Sequence, residues 1–394
     1  MMTKEEKLEI LRRVFSPMSP IKSQDLFFGR SLQLDNVCDA INEQGQHAIL
    51  FGERGVGKTS LGNIMATQLT NVFPVKITCT REYDFRSLWY RALQAIPIAT
   101  RTDGIGFNPE QQITYSSLAN QLANYEDLMP AHIQYILTPV LSNRMLFVFD
   151  EFDNITKNTA REQFADLIKS LSDNCDNVTI VIIGISDNVV NLIGNHQSLE
   201  RCMKQIKMPR MNSKELGDII DNGLKALTLK VSNEVRKKII DFSMGFPHYT
   251  HLLCKYGCKA AIDEEKTSYT SGHFKVATKL AIENVQEQIK DGYRKATFSS
   301  AQESQWEQVL FASAISQSDE YNCFTIKEIS KQFSELSGKA LSKVNITHNL
   351  GKLCQPDRGE ILEKISVDGS VKYRFTNPLS KAFVKLKMYE DKGV

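Results

Sequence analysis

The stretch Phe51–Ser60, FGERGVGKTS, follows directly on the apolar run HAILF. Its three glycines would weaken a helix or a strand, so the chain must need bare backbone at this point. Gly52, Gly57, Lys58 and Thr59 fit the spacing G-x-x-x-x-G-K-T, in which successive backbone N–H groups surround a phosphate chain. The lysine then reaches the terminal phosphates, and the threonine hydroxyl ligates Mg²⁺.

A chance glycine-rich turn is the alternative, but a strand pattern before the loop and a helical pattern after it, KTSLGNIMATQLT, are the flanks that a phosphate loop requires. We therefore expect the whole loop to contact a nucleotide. Its members are Gly52, Glu53, Arg54, Gly55, Val56, Gly57, Lys58, Thr59 and Ser60.

Composition limits the classes of protein to consider. The 394 residues carry 48 basic and 46 acidic side chains, a formal net charge of +2, which by itself gives no electrostatic case for nucleic acid. The amino terminus is charged where a signal peptide needs an apolar segment, and the longest apolar run, Val178–Ile185, is far shorter than the roughly 20 residues of a membrane helix. We expect a cytoplasmic protein with no membrane partner.

Strand and helix patterns alternate along the first half of the chain. Buried strands are predicted at HAILF, FPVKITC, MLFVFD, VTIVIIGIS and QIKMP, with helical patterns between them. This alternation predicts an α/β fold with a doubly wound parallel sheet and its functional groups at the carboxyl ends of the strands. The polar stretch 99–117 is predicted to be an irregular loop.

Four segments are predicted. They are a lead-in over 1–24, a P-loop ATPase core over 25–211, a helical lid with a linker helix over 212–299, and a winged-helix domain over 300–394. The last assignment rests on three helical patterns followed by two β-like runs joined at Asp368 and Gly369.

Two acids, Asp150 and Glu151, come at the end of the apolar strand pattern MLFVFD and supply the metal ligand and the base that the phosphate loop lacks. We expect Asp150 to hold Mg²⁺, directly or through a water, and Glu151 to orient and deprotonate the attacking water. A solvated acidic loop is the alternative, but it does not account for acids placed at the end of so apolar a strand.

Further groups for phosphoryl transfer are predicted beyond the next strand. Ser186 or Asn188, in the segment GISDN, would position the water and sense the γ-phosphate. Arg201 precedes the last strand, where it would act in trans on the site of a neighbouring subunit. A surface arginine without that role is the open alternative.

His251, Cys254 and Cys258 are spaced to share one face of a predicted helix. A metal site would need a fourth ligand, and the sequence nominates none. We interpret these three side chains as packing residues, and the eight cysteines of the chain, which form no C-x-x-C pair, as reduced thiols.

Together these motifs resemble those of AAA+ ATPases, in particular the initiator-like branch related to origin-recognition proteins, and those of STAND signalling NTPases. The segments that carry the resemblance, over roughly residues 20–265, are FFGR with Gly29 and Arg30, GERGVGKTS, FVFDEFD, GISDN and the segment that ends at Arg201. The resemblance implies an αβα core that binds ATP and Mg²⁺, a helical lid, a carboxyl-terminal winged helix and ATP-dependent homo-oligomers.

The lid departs from the initiator pattern G-x-x-R. This chain has Gly245, Phe246, Pro247 and His248 there, and Gly-x-Pro resembles the STAND lid, in which the proline packs near the adenine. A neutral histidine supplies far less charge to the γ-phosphate than an arginine. We expect slow hydrolysis, or ATP acting mainly as a conformational latch.

The carboxyl-terminal segment leaves two functions open. From residue 301 onward it holds 13 basic and 12 acidic residues, a weak attraction for nucleic acid. Candidate DNA contacts are Lys343, Thr347, Asn349, Lys352 and Arg374. The first hypothesis is an ATP-controlled switch that recruits a separate effector protein, with a role in prokaryotic defence or signalling. The second is an initiator-like or transposition-regulator-like ATPase that remodels duplex DNA.

Overall fold

The computed structural model of this chain falls into two units. The residues that it describes are 2–17, 19–69, 72–102, 112–138, 144–186, 190–193, 199–299, 305–319, 322–339, 341–367 and 370–392. The core unit comprises residues 20–53 and 57–209; the carboxyl-terminal unit comprises residues 1–19, 54–56 and 210–394 and begins with helix α1 (Lys4–Val14). In the described ranges, no helix is long and apolar enough to cross a membrane. The division into four segments stays a prediction.

A five-stranded parallel sheet forms the centre of the core unit. The strands of this unit are β1 (His47–Gly52), β2 (Val72–Thr78), β3 (Pro97–Thr102), β4 (Gln112–Ser117), β5 (Arg144–Asp150), β6 (Val178–Ile185) and β7 (Met203–Lys207). The sheet has the order β2–β5–β6–β1–β7, and its neighbouring strands run parallel. The predicted α/β fold is confirmed, and the acidic strand β5 lies between β2 and β6.

Helices flank this sheet and bury its apolar strands. They are α2 (Ser31–Asn42), α3 (Lys58–Gln68), α4 (Phe85–Gln94), α5 (Pro130–Leu137), α6 (Asn158–Asn174) and α7 (Val190–Ile193). On α4, the ring of Trp89 meets Phe147 and Phe149 of β5 edge-on, with centroids 5.0 and 5.5 Å apart. Phe164 of α6 packs against Phe149 in the same way at 4.8 Å. These contacts fix the strand that ends at Asp150, the first of the two predicted site acids.

The prediction of an irregular loop over 99–117 is wrong at both of its ends. Strands β3 and β4 pair antiparallel there, from Pro97 opposite Ser117 to Thr102 opposite Gln112. The polar composition of this stretch hides β-branched and aromatic residues in QITY that favour an extended backbone. Pairing with a second strand then satisfies their backbone N–H and C=O groups. Residues between the two strands lie outside the described ranges.

The carboxyl-terminal unit is mainly helical, as predicted. After α1 it contains α8 (Ser213–Ala226), β8 (Lys230–Val231), α9 (Asn233–Ser243), α10 (Pro247–Asp263), β9 (Ser268–Tyr269), α11 (Ser271–Glu283) and α12 (Glu287–Thr297). Its last part contains α13 (Gln305–Ile315), α14 (Ile326–Ser337), α15 (Lys343–Leu353), β10 (Leu362–Val367), β11 (Ser370–Phe375) and α16 (Pro378–Lys392).

This last part keeps the predicted order of three helices and two β-runs. Strands β10 and β11 pair antiparallel, and Phe324, between α13 and α14, forms an antiparallel bridge with Tyr373 of β11. The predicted turn at Asp368 and Gly369 lies outside the described residues. The winged-helix assignment remains our interpretation of this order.

The residues of the histidine–cysteine face pack inside the carboxyl-terminal unit. Cys254 and Cys258 of α10 are fully buried, and His251 is nearly so. The ring of Phe15, just after α1, meets His251 edge-on with centroids 5.9 Å apart. The face of α10 therefore helps to hold the amino-terminal helix against α8 and α10.

Two buried histidines make the stability of the fold sensitive to acid. Burial lowers the pKa of His47 in the core unit to about 4, and the backbone N–H of Ile180 donates to its Nδ1 at 2.9 Å. Burial, helped by the nearby His248, lowers the pKa of His251 to about 4. Both rings are neutral in the folded chain at pH 7. The unfolded chain takes up a proton on each near pH 6.5, so stability present above that pH is lost between 6.5 and 4.

We expect the unfolding free energy to fall, between pH 7 and pH 5, by about 2 kcal/mol for each of these histidines. Replacing His251→Leu removes one of the two contributions, because a leucine cannot take up a proton in the unfolded chain. Thermal unfolding followed by circular dichroism at both pH values measures this, with the exposed His348→Gln as the matched control. An equal loss of stability on acidification in the His251→Leu and His348→Gln variants would contradict the assignment.

Candidate active site

The phosphate loop connects β1 to α3 through backbone that only glycine tolerates. A Cβ at Gly52 would clash with the carbonyl oxygen of Met208. Met208 is held there because its backbone N–H donates to the carbonyl oxygen of Phe51 at 2.7 Å. Gly57, immediately before α3, has a φ of +98°, in the left-handed region that favours glycine. The loop therefore bends sharply after β1 and places Lys58 in the first turn of α3.

The charged end of Lys58 lies inside this loop. Its Nζ donates to the carbonyl oxygens of Gly52 and Glu53 at 2.9 and 2.7 Å, and the side chain is buried. Of the other predicted loop residues, Arg54 is exposed and Val56 is buried. The hydroxyl of Ser60 accepts a hydrogen bond from the N–H of Ile21 at 3.1 Å, so it ties α3 to the lead-in.

Thr59 and Asp150 provide oxygen ligands at neighbouring positions. Thr59 Oγ1 is 3.4 Å from Asp150 Oδ1, and the carboxylate lies at the carboxyl end of β5. Mg²⁺ prefers oxygen ligands and takes only one or two of them from the protein when phosphates supply others. The hydroxyl and carboxylate here fit that requirement.

Glu151 follows in a strained backbone conformation. Its φ of +57° places a non-glycine residue in the left-handed region, a cost of about 1–3 kcal/mol that concentrates at functional sites. The side chain is exposed, and Nδ2 of Asn154 donates both to its Oε2, at 3.3 Å, and to the carbonyl of Cys79, at 3.2 Å. The turn thus exposes Glu151, the predicted base, to solvent, and the side-chain amide of Asn154 orients its carboxylate.

The sequence analysis missed three residues around these acids. Asn154 orients Glu151, and Asp153 accepts a hydrogen bond from the N–H of Ile185 at 2.8 Å, which ties this turn to the end of β6. Lys76 of β2 places its Nζ 2.9 Å from Asp150 Oδ2. The available signals were the acid–amide pair Asp153-Asn154 at the end of DEFDN and a lysine inside the mainly apolar run FPVKITC.

The predicted water-positioning and finger residues are only partly placed. Ser186 is buried directly after β6, and Asn188 lies outside the described residues. Arg201 is 72% exposed and pairs with Asp173 at 2.8 Å. An exposed ion pair contributes little to stability, so it leaves Arg201 available for either predicted role.

The residues that the resemblance assigned to nucleotide binding divide between the two units. In the core unit, Gly29 and Arg30 both have positive φ values, 72° and 65°, and the buried Arg30 donates to the carbonyl of Pro209. In the carboxyl-terminal unit, Pro247 opens α10 and His248 follows it. Their contacts with nucleotide remain predictions.

His248 is held as a neutral donor. Its Nδ1 lies 2.8 Å from the carbonyl oxygen of Pro17, and burial lowers the pKa of the imidazole. A carbonyl accepts only from a protonated nitrogen, so Nδ1 carries the hydrogen of the neutral ring and Nε2 carries none. The position that corresponds to the initiator arginine therefore holds an uncharged side chain near pH 7.

Among the predicted DNA contacts, Lys343, Thr347 and Lys352 lie on the exposed face of α15. Asn349 does not, because the helix turns it toward the buried side chains of Ile346, Leu350 and Leu353. The burial of Asn349 weakens it as a DNA contact, and the role stays a prediction.

Arg374 of β11 is occupied by an ion pair. Its Nε lies 2.5 Å from Glu363 Oε1 on the neighbouring strand β10. Lys372 is paired in the same way with Asp319 at 2.8 Å. The two cations of β11 are thus paired within the chain, which weakens Arg374 as a phosphate contact.

Comparison with solved structures reproduces the fold. A Walker-type ATPase of Pyrococcus abyssi matches at 13% identity and a TM-score of 0.50, over 93% of this chain and 99% of that chain. The ORC2 protein of Aeropyrum pernix, as ADPNP–ADP complexes, matches at 11% and 0.49, over 97% and 98%. The ORC1 protein of Aeropyrum pernix in complex with DNA matches at 14% and 0.47, over 95% and 96%. At these identities the likeness concerns the fold alone.

Sequence comparison identifies the family. No curated protein matches the chain. The family model described as Novel STAND NTPase 1, nSTAND1, matches residues 19–251, more than half of the chain, and its range includes the phosphate loop, the acidic strand and the first turn of α10. The resemblance to STAND NTPases is confirmed: the chain belongs to the nSTAND1 family of P-loop NTPases.

Proposed function

We propose that this NTPase binds ATP with Mg²⁺ in its core unit, hydrolyses it slowly, and assembles into homo-oligomers that act on a separate effector protein. The observation that carries the proposal is the approach of two oxygen groups, on Thr59 and Asp150, to 3.4 Å. The buried Lys58 precedes Thr59 in the chain, and the strained Glu151 follows Asp150. A phosphate loop, a metal ligand pair and an exposed base are the parts that phosphoryl transfer to water requires.

Each part has a distinct task in this mechanism. Lys58 binds the terminal phosphates in place of the loop carbonyls that it now contacts. Thr59 and Asp150 would hold Mg²⁺, which neutralises charge on the β- and γ-phosphates when bound. Glu151 accepts the proton of the attacking water, and Asn154 keeps its carboxylate oriented. Ser186 or Asn188 would position that water, as the sequence suggested.

The neutral lid histidine favours a switch over a motor. Phosphoryl transfer gains most from cations that stabilise the developing charge, and arginine fingers contribute factors of about 10³ to 10⁵ in rate. Burial lowers the pKa of His248, so its ring carries no such charge near pH 7. A site of this kind retains ATP for long periods, which suits a state change that persists until hydrolysis.

The surface of the carboxyl-terminal segment favours a protein partner. Val344 of α15 is 76% exposed, and Val371 of β11 is also exposed. The two cations of β11, Lys372 and Arg374, are paired with carboxylates. Apolar side chains beside neutralised charges suit a protein contact better than a phosphate backbone. We extend the proposal to an effector of prokaryotic defence or signalling.

Duplex DNA is the second candidate, and one observation favours it. Thr347, His348 and Lys352 line one shallow pocket on α15, and Lys343 is exposed at the start of the same helix. Two cations and two hydrogen-bonding side chains of this helix are therefore open to solvent. Such a set can contact phosphates and base edges if this helix enters a major groove.

Loss of the loop lysine should abolish tight nucleotide binding. We expect Lys58→Ala to weaken the affinity for ATP about 100-fold, because it removes charge-assisted hydrogen bonds of about 1.5–3 kcal/mol each. Calorimetric titration measures the affinity, with Lys169→Ala, an exposed lysine of α6, as the control. Equal affinities in the two variants would contradict the phosphate site.

Glu151→Gln should separate binding from hydrolysis. The amide keeps the size of the side chain but cannot accept the proton of water, so turnover should fall about 100-fold or more while ATP affinity is retained. Phosphate release and ATP retention measure the two quantities. Unchanged turnover would remove Glu151 from the role of base.

Assembly should depend on the third phosphate. We expect a larger mass with a slowly hydrolysed ATP analogue than with ADP, measured by light scattering on the purified chain.

Arg201→Ala should lower turnover and leave ATP affinity unchanged if this side chain acts in trans.

Light scattering in the presence of duplex DNA tests the second candidate function. A salt-dependent complex with DNA, lost when Lys343 and Lys352 are both replaced by alanine, would favour DNA over the protein partner.

A further inference from the structure

Lys76 occupies a position beside the metal-binding carboxylate that the proposed hydrolysis does not use. Its Nζ lies 2.9 Å from Asp150 Oδ2 and 2.7 Å from Asn63 Oδ1. The other carboxylate oxygen, Oδ1, faces Thr59 and accepts from the N–H of Glu151 at 3.0 Å. One oxygen of Asp150 is thus directed toward the phosphate loop, and the other is held by an ammonium group.

The ammonium group is tethered on both sides. Asn63 lies on α3 one turn after Thr59, and its Nδ2 donates to the carbonyl of Ile21 at 3.3 Å. That bond directs the amide oxygen toward Lys76. The lysine therefore has two acceptors, one from α3 and one from β5, and its position does not depend on the carboxylate alone.

The difference in burial makes this pair electrostatically important. The side chain of Asp150 is only 4% exposed, whereas that of Lys76 is 29% exposed on the edge strand of the sheet. A carboxylate so buried needs a counter-charge to remain ionised. Lys76 supplies one, and a divalent cation at the same carboxylate would be repelled by it. The negative phosphates of a bound nucleotide would offset that repulsion.

Building on the Mg²⁺–ATP site proposed above, we propose that Lys76 is a tethered counter-ion of Asp150 that makes metal binding conditional on nucleotide. The site then excludes a divalent cation alone and accepts it together with the phosphates. Removing the ammonium has two opposite consequences. Metal binding without nucleotide becomes tighter, and nucleotide binding without metal becomes weaker because the bare carboxylate faces the phosphates.

The test measures both quantities on the full chain. Mn²⁺ serves as the probe because it takes oxygen ligands like Mg²⁺ and the free ion is counted by electron paramagnetic resonance. We expect Lys76→Met, of similar length and uncharged, to bind Mn²⁺ without nucleotide at least about tenfold more tightly than the unaltered chain. In the presence of a chelator, its affinity for a fluorescent ATP analogue should fall by a similar factor.

Lys169→Met, on the exposed face of α6 in the same unit, is the matched control. Lys76→Gln provides a second uncharged variant if the methionine variant does not fold. Equal or weaker Mn²⁺ binding in the Lys76 variants would overturn the proposal, and weaker binding would make Lys76 a positioning residue for Asp150. Because the Mn²⁺ titration contains no nucleotide, it remains decisive even if the unaltered chain fails to bind ATP, an outcome that would remove the proposed function instead.

Discussion

The buried carboxylate of Asp150 is the constraint on which the rest of the core unit depends. A carboxylate at the end of an apolar strand has lost most of its hydration, so its charge must be met by donors and cations within hydrogen-bonding distance. Three groups lie within this distance of the Asp150 carboxylate. They are the hydroxyl of Thr59 on α3, the ammonium of Lys76 on β2 and the backbone N–H of Glu151. The sheet order brings Lys76 within reach of Asp150 because it places β5 next to β2. Aromatic rings of α4 and α6 pack against β5 and hold the carboxylate in position.

The parts of this site that follow from local sequence were predictable, and the parts that follow from pairing between distant segments were not. The phosphate loop and the two acids at the end of β5 belong to short motifs with flanking strands, so sequence alone located them. Lys76 reaches Asp150 only because β2 pairs with β5 in a register that sets Thr78 opposite Asp150. No spacing within FPVKITC encodes that register. The β3–β4 hairpin and the inward face of Asn349 were missed for related reasons, since cross-strand partners and the phase of a helix are set by tertiary contacts.

Two side chains bear on how fast the proposed ATP site would work. At His248 the predicted lid has an uncharged ring that donates to Pro17, and at Asp150 a lysine holds one oxygen of the carboxylate proposed to bind the metal. In the proposed function, the first would supply no positive charge to the γ-phosphate, and the second would oppose the metal until phosphates are bound. Hydrolysis would then be slow, and binding of the complete nucleotide–metal unit would be the decisive event. That combination suits a protein whose output is a change of state.

The positions of the two charges also determine which of them can move. Asp150 ends a central strand whose apolar side chains are buried on both faces, so it cannot shift without disturbing the sheet. Lys76 lies on the edge strand, and a flexible, partly exposed side chain can withdraw its ammonium into water at little cost. If Asp150 binds a metal as proposed, Lys76 is therefore the partner that would move. Lys76 is bonded to Asn63, Asn63 is bonded to Ile21, and Ile21 is also bonded to Ser60 of α3, so a shift of the lysine would reach the lead-in segment through these contacts. Movement of the Lys76 ammonium would therefore change the hydrogen bonds that hold Ile21, close to where the chain enters the core unit.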